Sequence, residues 1–79
     1  MTWSGTPERH PDVFTMSRRI GGETRSAACQ VWSHRAGWEI TLHLSGYGVL
    51  AEAVVPTVTA VMEKGAEWSS ALRTLGWQD

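Results

Sequence analysis

The side chains able to do chemistry gather in one stretch, CQVWSHRAGWEITLHL, residues 29–44. It holds Cys29, His34, Glu39 and His43, with Trp32 and Trp38 between them. Cysteine and histidine are zinc ligands, and a histidine beside a carboxylate is the pair that acid–base catalysis uses. Spacing decides against the metal. C-x4-H-x8-H matches no compact zinc pattern, and positions 29 and 34 differ by an odd number, so on a strand they leave opposite faces. His34 and His43 share a face but stand four rows apart in the hairpin register expected below. That is ~13 Å at ~3.4 Å per residue, too far for one ion. No metal and no cofactor are expected. No glycine-rich phosphate loop occurs, and GYG, residues 46–48, reads as a turn. No nucleophile stands at a fixed spacing from a base, which argues against an enzyme. His34, Glu39 and His43 remain the candidate polar or ligand site, one that neighbouring subunits would have to enclose.

Those residues need a hairpin to hold them. WEITLHL alternates strictly: Trp38, Ile40, Leu42 and Leu44 point one way, Glu39, Thr41 and His43 the other. Before it, Ala27, Cys29, Val31 and Ser33 form one parity and Ala28, Gln30, Trp32 and His34 the other. Matching faces predicts Ser33 opposite Ile40, Val31 opposite Leu42 and His34 opposite Glu39, around a two-residue loop Ala36-Gly37; a four-residue loop, residues 34–37, keeps the same faces. VFTMSRRI ends at Gly21-Gly22 and reads as an edge strand, and VLAEAVV, residues 49–55, closes the meander. From residue 57 the pattern is helical, with Val58, Val61, Met62, Gly65, Trp68, Leu72 and Leu75 in one stripe. Gly65 within that stripe predicts close approach to the sheet, and Gly76 with Trp77 predicts a Schellman stop. The fold class is α+β: an antiparallel meander of three or four strands with one C-terminal helix on one face. Residues 1–13, broken by Gly5, Pro7 and Pro11, read as a flexible arm, and residues 14–79 as the single domain.

Seventy-nine residues with one cysteine make a small core without a disulfide framework. Five tryptophans offset the size, since each buries ~150–250 Å². Residues 1–14 carry no apolar signal segment, and no run approaches the ~20 apolar residues that span a bilayer. No membrane association is expected, and the expected location is cytoplasmic. Net charge is −1, with five arginines against three acids in residues 1–35 and an acidic remainder.

The face away from the helix would carry Ala28, Gln30, Trp32, Thr41, His43, Leu50, Glu52 and Val54, too apolar for a wholly solvated surface. This points to an interface with Trp32, Leu50 and Val54 at its centre, unless the arm folds over it through Trp3 or Phe14. The expected function is a small protein-interaction module, self-associating as a homodimer through that face or a sheet edge. In layout, a three-stranded sheet followed by a helix resembles plant ethylene-response DNA-binding domains and recombinase arm-binding domains. GWEITL, residues 37–42, is similar to their second-strand pattern, and the likeness extends over about residues 24–75. It implies a sheet entering the major groove of DNA. That sheet would need several basic residues; here it offers mainly Arg25 and Arg35, with Arg18 and Arg19 if the first strand joins, against Glu39 and Glu52.

Overall fold

A computed structural model describes residues 7–79. Four strands, β1 (Glu8–Ile20), β2 (Glu23–His34), β3 (Gly37–Leu44) and β4 (Gly48–Val55), are followed by one helix, α1 (Val58–Thr74). The strands form a single antiparallel sheet in the order β1-β2-β3-β4. The helix lies across one face, giving the two-layer α+β arrangement.

The parity of β2 and β3 decides which face that is. Val31 pairs with Ile40, Cys29 with Leu42 and Ala27 with Leu44. Ile40, Cys29 and Val31 are buried with Val61 of the helix, while Leu42, Ala27 and Met16 are buried with Leu72 and Trp77. Trp38 and Leu44 pack at the two ends of the same row. The hydrophobic side chains of β3 therefore all press on the helix, and burying each is worth about 1.5–3 kcal/mol.

The register differs from expectation by two residues. His34 pairs with Gly37 and Ser33 with Trp38, so the loop is Arg35-Ala36. Neither Arg35 nor Ala36 has positive φ, so the loop is not of the I′ or II′ type; the positive angle falls on Gly37, the residue that follows the loop, at +127°. A shift of two leaves every face unchanged.

Strand β1 begins at Glu8, so part of the stretch assigned to an arm belongs to the sheet. The register of β1 against β2 shifts between His10 and Phe14, and Pro11 falls in that irregular segment. A bulge on an edge strand tolerates the missing N–H, so Pro11 punctuates the strand without ending it. The edge is blunted again further on, where Ser17 and Gln78 exchange both backbone hydrogen bonds at 2.7 and 2.9 Å.

The helix ends follow local chemistry. Thr57 Oγ1 accepts from the Ala60 N–H at 3.1 Å, an N-cap. At the other end the Trp77 N–H donates to the Leu72 carbonyl and the Gly76 N–H to that of Arg73, both at 3.0 Å, with Gly76 at φ +95°. This is the Schellman pattern, and it turns Trp77 back onto Leu72. Val61, Gly65 and Leu72 are buried, whereas Val58, Met62 and Leu75 of the same stripe stay exposed. The stripe is wider than the helix's contact with the sheet.

Gly65 marks the closest approach. A Cβ placed there would stand 2.7 Å from Val13 Cγ1. Gly65→Ala should therefore lower stability by about 1–3 kcal/mol through overpacking, although alanine is the better helix former by up to ~1 kcal/mol. Adding Val13→Ala should recover part of the loss. Urea unfolding of the two single variants and the double variant checks this, and strict additivity would disprove the contact as the cause.

Candidate functional site: the outer sheet face

The face opposite the helix is laid out by the register. One row reads Arg9, Trp32, Glu39, Val54 across the four strands. The next reads Gln30, Thr41, Glu52. Beyond it come Thr15, Ala28, His43 and Val49. The pairing of β3 with β4 shifts between Leu42 and His43, which brings Val49 opposite His43. Val49 thus leaves the core face that simple alternation gives it, and it is 56% exposed. Leu50 and Val54, two of the expected interface residues, are 49% and 62% exposed.

Trp32, the third, is half-buried and not bare. The Arg9 guanidinium lies over its ring, 5.1 Å from the centroid, and Arg9 is itself held by Asp12 at 2.7 Å. Trp3, the fourth, lies outside the described residues. Pro7, Gln30, Trp32, Glu39, Thr41, Val49 and Glu52 line an open depression of about 410 Å³ on this face. Thr41 forms its floor: it is buried, with 6% exposed, although it points away from the helix.

The three candidate polar residues do not converge. In the observed register Glu39 pairs with Trp32, and His34 reaches it diagonally, with 3.7 Å between His34 Nε2 and Glu39 Oε2. The His34 side chain is 6% exposed, and its Nδ1 accepts from the Ala36 N–H at 3.2 Å. That bond closes the Arg35-Ala36 turn, so His34 has a structural task in the hairpin. His43 pairs with Ala28, six residues along β2 from His34, or ~20 Å at ~3.4 Å per residue. Cys29 lies on the helix face, away from both histidines. Among the described residues no group of three or more His, Cys, Asp or Glu side chains is placed to hold a metal ion.

A second polar group lies on the helix face beside the Arg35-Ala36 turn, and sequence reasoning missed it. His10 Nε2 is 2.7 Å from Ser33 Oγ and 3.5 Å from Glu8 Oε2, and the His10 ring sits 5.0 Å from that of Trp38. A serine, a histidine and a carboxylate suggest a hydrolytic triad, but the geometry rejects it. Both partners address the same ring nitrogen, so the carboxylate does not orient the imidazole toward the hydroxyl. The group fastens the start of β1 to β2. Its signal lay in Glu8 and His10, which become strand positions only once Pro11 is read as a bulge.

Of the arginines, Arg18 and Arg19 line a second depression with Ser17, Thr24, Gly76 and Gln78, while three others are paired. Arg9 is paired with Asp12, Arg25 with Glu23 and Arg73 with Asp79. Glu39 and Glu52 stand on the open face where a DNA-reading sheet would need cations.

Cys29 is fully buried, and burial pushes its thiol from 9.0 up to about 11, with the Asp12 carboxylate adding to the rise. A thiol kept neutral is a poor nucleophile, so Cys29 acts as a small apolar core residue. The raised value has a stability consequence. The unfolded chain ionises from about pH 9 while the folded chain does not, so the contribution is complete below 9.0 and is lost as pH rises through about 11. Urea unfolding across this range should show a steeper alkaline loss in the parent protein than in Cys29→Ala. Equal slopes would contradict the burial of an ionisable thiol.

Comparison with protein-family models, with curated proteins and with solved structures finds no match to this chain, and its geometry alone carries the functional reading.

Proposed function

We propose that this chain is a small self-associating interaction module, a two-fold homodimer joined along the β4 edge. The observation that supports this is the asymmetry of the two sheet edges. Strand β1 is interrupted around Pro11 and capped at Ser17 by Gln78. Strand β4 carries one bulge, between Val49 and Ala51, but no described segment caps its outer edge, and within Gly48–Val55 there is no proline and no lysine and the only charge is Glu52. Natural edges are normally blunted against pairing, and a long unprotected one is a template for another strand.

The side chains point the same way. Val49, Leu50 and Val54, all on β4, are among the most exposed large apolar residues. Pairing β4 with its symmetry mate would extend the sheet to eight strands and satisfy the outward backbone groups of both copies. It would also bring the Val49 and Val54 side chains of the two copies together on the outer face, with Leu50 between them at the bulge. The contact is isologous, so it closes at two copies and does not propagate. A chain of this size, which buries only roughly 60% of its unfolded surface alone, gains proportionally more from such a contact.

Sedimentation equilibrium tests the proposal. The expected result is a monomer–dimer equilibrium with a dissociation constant of about 1–100 μM. Leu50→Lys combined with Val54→Lys should abolish the dimer without loss of the fold, since both side chains are solvated in the monomer. A parent protein that stays monomeric at about 500 μM would refute the proposal.

A further inference from the structure

The depression on the outer face has a chemical character that sheet pairing does not explain. Its floor is Thr41, nine-tenths buried, yet its hydroxyl makes no hydrogen bond among the described residues. Gln30, directly opposite on β2 and half-buried, likewise has no side-chain partner among them. Glu52, opposite Thr41 on β4, has no ion pair within the described residues. No buried side-chain polar atom among the described residues lacks a partner, so these unpaired groups reach solvent through the depression and are open to a ligand.

The rim adds to this. Glu39 stands one row up, beside the Trp32 ring, and Pro7 and Val49 supply apolar walls. Two carboxylates, a hydroxyl and an amide are acceptors, and the face of an indole ring is also negative. No cationic side chain lines the space. Such a lining disfavours anions and favours a donor-rich cation carried on an apolar stem. A planar guanidinium fits better than an ammonium, because its fork matches a carboxylate in two bonds and its plane stacks on an aromatic ring. The Arg9 guanidinium over Trp32 is an example of that stacking within the chain.

We infer that the depression between Trp32, Thr41 and Glu52 is a binding site for a guanidinium group on an apolar stem. In it Glu52 accepts from the guanidinium N–H groups, Thr41 Oγ1 and the Gln30 side-chain carbonyl accept from those left over, and Trp32 carries the stem and the plane. An arginine side chain in an extended peptide and a free small guanidine share this chemistry. The inference goes beyond the proposed dimer and does not depend on it.

The test is a titration followed by amide and indole NMR shifts, with N-acetyl-arginine amide as the probe. Its neutral isostere, N-acetyl-citrulline amide, serves as the control. Saturable shifts at Gln30, Trp32 and Thr41 are expected with a dissociation constant of about 0.1–5 mM, which is what a ligand of this size can reach. The citrulline compound should leave these signals in place. Glu52→Gln should weaken binding about tenfold and Thr41→Val about threefold, with thermal melts confirming that both variants fold. A neutral variant, Leu50→Ser with Val54→Thr, which removes apolar surface from the β4 edge without placing a cation beside Glu39 and Glu52, should bind the probe as the parent does, which separates the two proposals. Binding at least about tenfold tighter to an arginine flanked by extended residues supports a peptide source, and equal affinity supports a free guanidine. No saturable shift up to about 50 mM, equal response to citrulline, or unchanged affinity in Glu52→Gln would each overturn the inference.

Discussion

The structure depends on the two-residue period of β3 being kept in phase with the helix. Ile40 and Leu42 are the central pair: one is buried beside Val61, the other beside Leu72, three helical turns further along. Strand β2 and the helix span both clusters with β3, through Ala27 and Leu72 in one and Cys29, Val31 and Val61 in the other. If β3 slipped by one residue, Thr41 and His43 would enter the core and Ile40 would face water. Each exchange would lose about 1.5–3 kcal/mol of apolar burial and add the cost of an unpaired polar group. With net stability in a small domain only about 5–15 kcal/mol, one such slip removes most of it. The hairpin turn and the bulges are therefore subordinate to that phase, and the irregularities of the sheet are those that preserve it.

The two bulges illustrate this. In β1 the shift between His10 and Phe14 absorbs Pro11 and Val13 and still returns Phe14 and Met16 to the helix side. In β4 the shift beside Leu42 turns Val49 outward just past the last core pair, Leu42 with Ala51. Both lie on edge strands, where one neighbour is enough to hold the chain. The consequence differs. In β1 the irregular segment lies beneath Gly65, and the helix can approach because glycine has no side chain there. In β4 the bulge is uncovered, and it puts Val49 beside Leu50 on a strand with an open edge.

How far this was legible in the residues follows from the same logic. Strand alternation in Trp38–Leu44, the helical stripe from Val58 and the Gly76-Trp77 stop are short-range patterns, and the structure has each of them. The four strands, their order and the face covered by the helix follow from parity. Register did not follow, because parity is blind to a shift of two; turn chemistry at Gly37 decides it, and that needed backbone angles. The start of β1 was hidden because Pro11 is a breaker in most contexts and a bulge only on an edge. The site was less legible still. Trp32 and Val54 stand on the outer face as parity requires, whereas Leu50 is the unpaired residue of the β4 bulge. His34 and His43 were grouped by residue type, whereas the register separates them and gives His34 to the turn.

What parity could not reveal is that a residue on the solvent side can be buried. Thr41 has the outward orientation that alternation assigns it, yet it is as inaccessible as Leu42 beside it. The cause is its surroundings: Trp32 and Glu39 on one side and Glu52 and Val49 on the other rise above a short threonine at the middle of the sheet. A large residue at position 41 would fill the depression and flatten the face. Threonine keeps it open and leaves a hydroxyl at its floor. The β4 edge and the depression thus offer two kinds of contact from adjoining parts of one surface: backbone pairing along the strand, which is indifferent to side chains, and a small acceptor-lined recess, which is not. In the proposed module, main-chain pairing would supply affinity and the neighbouring side-chain recess discrimination.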